Sequence, residues 1–118
     1  MEELREPSKQ LRQLIPDVYA GFSALSQAAM SEGELPVATK ELIALACAVV
    51  KRCDGCIGSH ARSAARAGVT EQEVAEAIGV TVLMDGGPGT VYGPRALEAF
   101  LEAKEYFDTR RAARPNQA

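Results

Sequence analysis

An all-α fold is predicted by three features of the sequence. Every long periodic stretch repeats its apolar residues at helical spacing, no segment alternates apolar and polar residues as a half-buried strand does, and no internal repeat is visible. The 118 residues, 47% hydrophobic and 25% charged, suffice for one ordinary core. A single helical domain of about five main helices is therefore expected over 1–118, with loose ends at about 1–8 and 109–118.

Met1 to Pro7 reads as a lead-in, followed by a short helical turn at Leu11, Leu14 and Ile15 that stops against Pro16. From Asp17, the residues Val18, Phe22, Leu25 and Ala29 recur at helical spacing, and Gly33 is a terminator beyond Met30. Pro36 offers a pre-set helix start, because its ring fixes φ in the helical range. The run from Leu42 to Val50 holds no charged residue, and a helix apolar on every side should be central. Lys51 and Arg52 suit the negative end of its dipole. Asp54 is a candidate N-cap for a helix from about Gly55 to Ala67, which Gly68 closes. Thr70 and Glu73 form a capping box ahead of a helix whose Val74, Ala77, Ile78, Thr81 and Val82 share a face. Val80, Leu83 and Met84 widen that face beyond what one neighbour would cover. The segment DGGPGTVYGP, from Asp85 to Pro94, is too rich in Gly and Pro to predict uninterrupted helix. The last helix is placed on Ala96, Phe100, Ala103 and Phe107, with Leu97 and Leu101 beside them.

A net charge of -3 provides no basic footprint for nucleic acid or an anionic membrane surface, and the cluster Arg110, Arg111 and Arg114 reads as a solvated tail. No stretch approaches the roughly 18 uncharged apolar residues that a membrane span needs, and MEELREPSKQ is too acidic and polar for a signal peptide, so a cytoplasmic location is expected. Three unevenly spaced cysteines do not make a secreted disulfide framework. In a reducing compartment a close pair points to catalysis or metal binding.

That pair lies in Cys53-Asp-Gly-Cys56-Ile-Gly-Ser-His60. Two cysteines three apart can close a disulfide at a helix start, where free amides stabilise the reactive thiolate. At about 100° per residue, His60 lies about 40° around the helix from Cys56 and one turn further on, so its imidazole can reach the Cys56 sulfur directly or through one water. A peroxide-reducing thiol needs this set: a nucleophile, a base that changes charge near neutral pH, and a second thiol to resolve the sulfenic acid. Placing Arg62 and Arg66 outward turns Cys56, His60, Ala64 and Ala67 inward. Glu41 stands at the start of the central helix, where a first-turn glutamate ordinarily serves the helix dipole. Ala44 and Ala48 on its side leave room for the next helix, so a carboxylate there could instead orient His60 and hold its tautomer. Cys47 has no polar neighbour to activate it and reads as core packing, while Tyr92 and Met84, near the Gly-Pro segment, could line a pocket or an interface but are expected to serve ordinary packing. The residues leave three readings open: an enzyme that cycles a disulfide, a non-enzymatic redox sensor or assembly module, and a metal site. In the last, Cys53, Cys56 and His60 would need a fourth ligand, such as Glu41 or water.

The string LPVATKELIALACAVVKRCDGCIGSHARSAARA, from Leu35 to Ala67, resembles the core signature of the carboxymuconolactone decarboxylase and alkylhydroperoxidase D-like family. The likeness continues more weakly through GVTEQEVAEAI and GGPGTVYGPRALEAF, and so covers about two thirds of the chain. Its most specific part is the spacing of Glu41, the C-x-x-C pair and His60. The resemblance implies an alkylhydroperoxidase D-like helical bundle and a thiol peroxidase. In that scheme Cys56 attacks peroxide and becomes the sulfenic acid, Cys53 supplies a proton and closes the disulfide, and Glu41 and His60 form the proton relay. Gly55 stands where the family's typical enzyme carries a histidine, which leaves the relay one member short. The true lactone decarboxylases of the superfamily generally lack the cysteine pair, which argues against that activity. The chain has no flavin, haem or nicotinamide fingerprint, so no cofactor is expected. The implied reductant is an external dithiol of the lipoyl or thioredoxin type, and the implied assembly a homo-trimer or homo-hexamer.

Overall fold

The computed structural model describes residues 2–113 and is helical almost throughout, with no strand among the described residues. By its internal packing the chain divides into two units, the first ending at Gly33 and the second beginning at Glu34.

The first unit holds a 3-10 turn at Glu2–Leu4, then α1 (Arg5–Leu14) and α2 (Pro16–Met30). The expected loose lead-in is thus corrected, since α1 is a full helix from Arg5. Pro7 sits within its first turn, where its missing N–H has no intrahelical partner to lose. Ile15, at φ -133° and ψ 60°, breaks the path between the two helices, and Pro16 then starts α2. Arg12 lies 5.3 Å over the ring of Tyr19, a cation–π contact across that break. The periodic residues of α2 are present as expected, but Val18, Phe22 and Leu25 are all exposed and neither helix contains a buried residue.

The second unit contains α3 (Val37–Val50), α4 (Asp54–Arg66), α5 (Glu71–Asp85) and α6 (Gly89–Ala112). Helix α3 packs on all three others and is central, as its uncharged run predicts. Its Leu45, Ala48 and Val49 meet Ile57, Ala61, Ala64 and Ala65 of α4, Val74 of α5, and Ala96, Phe100 and Ala103 of α6 in one core. Centrality is not enclosure, however. Ile43 and Cys47, one turn apart on the other side of α3, are exposed, which corrects the placing of Cys47 in the core. A run with no polar residue carries no periodicity from which the inward face could be read.

The capping box of α5 forms as expected: the Glu73 amide donates to Thr70 Oγ1, and the Thr70 amide donates to Glu73 Oε1. Val74 and Thr81 are buried, while Val80, Leu83 and Met84 are exposed, so Met84, at 75% exposure, is not packed within this chain. The Gly-Pro segment interrupts the helices as expected, but only at 86–88; the correction concerns the last helix, since α6 already begins at Gly89, seven residues before Ala96. Gly86 takes φ 71°, a conformation open to glycine at little cost. Gly89 and Gly93 serve a different purpose. A Cβ on Gly89 would stand 3.0 Å from the Val82 Cα and 3.2 Å from the Thr81 carbonyl oxygen, and one on Gly93 would stand 2.6 Å from Ile78 Cγ2. Spaced one turn apart, they let α6 approach α5 closely. Pro94 lies in the second turn of α6 and removes one backbone bond, to the carbonyl of Thr90. Helix α6 also runs on to Ala112, so residues 109–112 are ordered helix; Arg114 and the rest of the expected tail lie outside the described residues.

A glycine in a helix interior ordinarily becomes more stable as alanine, by about 0.5–1 kcal/mol. At Gly93 the sign reverses: Gly93→Ala is expected to lower the unfolding free energy by roughly 1–3 kcal/mol, the usual cost of overpacking, as measured by urea denaturation.

Candidate functional site

The dithiol turn is set by how α3 ends. Arg52 adopts φ 55°, its amide bonds the Val49 carbonyl at 3.0 Å, and the Cys53 amide bonds the Ala48 carbonyl at 3.1 Å. This pair of bonds is the Schellman arrangement, here made with arginine where glycine is usual, at some local strain. It reverses the chain within two residues, so that Cys53 leaves α3 and caps α4 directly. The N-cap is therefore Cys53, not Asp54 as the sequence suggested. Its sulfur accepts the Cys56 amide at 3.2 Å, while Asp54 occupies the first helical position. Cys53 and Cys56 are joined by a disulfide, their Cα atoms 5.2 Å apart.

The two sulfurs differ in surroundings. Cys53 is half-buried and takes the helix amide, whereas Cys56 is exposed. The expected inward face of α4 is thus only partly correct: Ala64 is buried and His60 half-buried, but Cys56 and Ala67 are exposed. One turn beyond Cys56, His60 Nδ1 lies 2.8 Å from Glu41 Oε1. Glu41 is only 7% exposed and sits past the first turn of α3, so it does not serve the helix start; its partner is the imidazole. An ionised carboxylate can only accept, so Nδ1 carries the hydrogen of this bond, and in the neutral imidazole the lone pair then lies on Nε2. The close approach of α4 to α3 follows from small residues. Ala48 on α3, with Ala61, Ala64 and Ala65 on α4, is buried and fills little space between the axes. The structure pairs Glu41 with His60 and Cys53 with Cys56, all within the second unit, with His60 one turn beyond Cys56 on α4, and leaves Cys47 on the exposed side of α3. Among the described residues, no three His, Cys, Asp or Glu side chains are grouped as a metal ion would require. Nor, among them, is any helix long and apolar enough to cross a membrane.

Sequence reasoning missed one neighbour. Arg95 of α6 donates from one guanidinium nitrogen to both carboxylate oxygens of Asp54, at 3.2 and 3.4 Å, and its guanidinium stands 4.7 Å from the centre of the Tyr92 ring. Forty-one residues separate Arg95 from Asp54, and no local pattern links them. Tyr92 packs against the core, as expected.

Residues 16–105 match the carboxymuconolactone decarboxylase family. A protein of Cupriavidus necator is 38% identical over 100 residues, covering 85% of this chain and 88% of its own. Among solved structures, a carboxymuconolactone decarboxylase family protein from Legionella pneumophila superposes with a TM-score of 0.82 at 42% identity, covering 87% of this chain and 92% of that one. A second, from Thermotoga maritima, superposes with a TM-score of 0.75 at 26% identity, covering 91% and 94%; an antioxidative role has been suggested for it.

Proposed function

This chain belongs to the carboxymuconolactone decarboxylase family, and on that premise we propose that it is a thiol-dependent peroxidase that reduces hydroperoxides through the Cys53–Cys56 pair. The observation that carries this reading is the Glu41–His60 hydrogen bond one turn beyond a dithiol able to close a disulfide. The suggested antioxidative role of the Thermotoga protein points the same way.

In the reduced protein, the Cys56 thiolate attacks the outer oxygen of ROOH; the O–O bond breaks, Cys56 becomes the sulfenic acid, and the departing alkoxide takes a proton to leave as ROH. His60, oriented by Glu41, first accepts the Cys56 thiol proton at Nε2 and then supplies that proton. The Cys53 sulfur next attacks the sulfenic sulfur, which forms the S–S bond and releases water. An external dithiol, of the lipoyl or thioredoxin type, exchanges with the disulfide and is itself oxidised, so two electrons pass from donor to peroxide in each cycle. Cys53 is the sulfur assigned to that exchange. The reading needs no resident cofactor.

Assembly as a homo-trimer or homo-hexamer belongs to the same reading. It is supported by the apolar residues left exposed on α2 (Val18, Phe22, Leu25) and on α5 (Val80, Leu83, Met84).

The test is a thiol titration of the reduced protein before and after one equivalent of an organic hydroperoxide. Two thiols are expected to disappear, with Cys53 and Cys56 recovered as a disulfide peptide. Retention of both free thiols would sink the proposal without any donor having to be chosen.

A further inference from the structure

We infer that Arg95 is a positioning residue of the dithiol turn, one that holds the Asp54 carboxylate and offsets its charge at the helix start where the sulfurs react. The inference rests on the reading of Cys53 and Cys56 as a redox pair.

Asp54 is a liability at its position. Bonded directly to Cys53 and two residues before Cys56, its carboxylate is confined by chain geometry to within about 10 Å of the Cys53 sulfur and little further from that of Cys56. It also occupies the first turn of α4, whose free amides are the groups that would stabilise a thiolate. An anion there opposes the formation of a second one. Arg95 answers this from another helix. Its guanidinium bonds both oxygens of Asp54, at 3.2 and 3.4 Å, and lies over the ring of Tyr92, which packs against the core. The chain Tyr92–Arg95–Asp54 therefore ties the start of α6 to the C-x-x-C turn.

Other charges around the turn are accounted for separately. From α3 comes Glu41, engaged with His60, and from the α3–α4 turn come Lys51 and Arg52, the latter 3.6 Å from Asp85 of α5. From α6 comes Arg95, paired with Asp54 and with Tyr92 against its guanidinium. Side-chain exposures of 53% for Arg95 and 61% for Asp54 keep the effect moderate, because solvent and salt screen the pair.

The experiment measures the rate of iodoacetamide alkylation of the reduced pair against pH, with sites mapped by mass spectrometry. A Cys47→Ser background is used, since Cys47 is exposed and would also react. Arg95→Ala is expected to slow alkylation near neutral pH by about two- to five-fold, as expected of an exposed charge pair, and to move the midpoint of the profile upward. Arg95→Lys should recover most of the rate. Asp54→Asn combined with Arg95→Ala should return the profile to wild type, and the gap between Arg95→Ala and wild type should shrink at high salt. An unmoved profile in Arg95→Ala overturns the inference, as does a shift that persists in the double variant. Should Arg95→Ala fail to fold, Asp54→Asn alone decides: alkylation faster than wild type supports the inference, and an unchanged or slower rate refutes it. None of these measurements uses peroxide, so loss of the peroxidase reading and loss of this inference are separate results.

Discussion

Cys56→Ser is expected to reduce hydroperoxide consumption to the rate of the dithiol donor alone, a loss on the order of 10³-fold or more, as for removal of other nucleophiles. A serine hydroxyl is neither ionised nor polarisable enough to attack a peroxide oxygen. Cys53→Ser should behave differently: one equivalent of peroxide is still consumed, and the oxidised Cys56 accumulates as a sulfenic acid that dimedone traps with a mass shift on that peptide. Two physical effects favour different sulfurs here. The amide of Cys56 points at the Cys53 sulfur and stabilises a thiolate there. Exposure, and an imidazole one turn away, favour Cys56. Access and proton delivery win in this assignment, because peroxide must reach the sulfur and the departing alkoxide must be protonated. A reversed outcome, with Cys53→Ser inert and Cys56→Ser trapping a sulfenic acid on Cys53, would transfer the nucleophile to the capped sulfur and overturn the stated order of events.

How far the sequence foretold this arrangement depended on the range of the interactions involved. Local signals were readable: the Thr70–Glu73 capping box, Pro36 ahead of α3 and Gly68 behind α4 all stand where their chemistry put them. The spacing that sets His60 one turn past Cys56 was readable for the same reason, since it is a property of one helix. Glycine misled where its use was tertiary. Gly89 and Gly93 resemble loop residues in the sequence, yet they clear a path for α5, a fact that only the partner helix reveals. Cap identity was misjudged because the Schellman turn carries an arginine at φ 55°, so nothing announced that Cys53 itself would cap α4. The exposure of Cys47 and Met84 was hidden by runs of apolar residues that mark no preferred face. Arg95 was invisible because an ion pair between two helices leaves no period in either one.

The Glu41–His60 pair is where stability and chemistry can be separated. Glu41→Gln keeps the shape of the side chain and an acceptor oxygen but loses the charge that favours a cationic imidazole. It is expected to lower kcat/KM for hydroperoxide by about 10- to 100-fold, at the low end of what a positioned acid–base group contributes. Its melting temperature should change little. His60→Ala should reduce both quantities, because it leaves a carboxylate that is 7% exposed without its hydrogen-bond partner, at a cost of roughly 1–3 kcal/mol. Replacing both residues by leucine removes the polar pair together, and a buried pair exchanged for apolar side chains of similar size is often neutral or stabilising. The double variant should therefore unfold at least as high in urea as His60→Ala while turning over no peroxide above the donor's own rate. Were it instead to retain wild-type turnover, the pair would be a packing feature, and the proton needed by the departing alkoxide would have to come from water. Were Glu41→Gln to match wild type while His60→Ala lost activity, the imidazole would act without its carboxylate, and Glu41 would be left with a role in positioning alone.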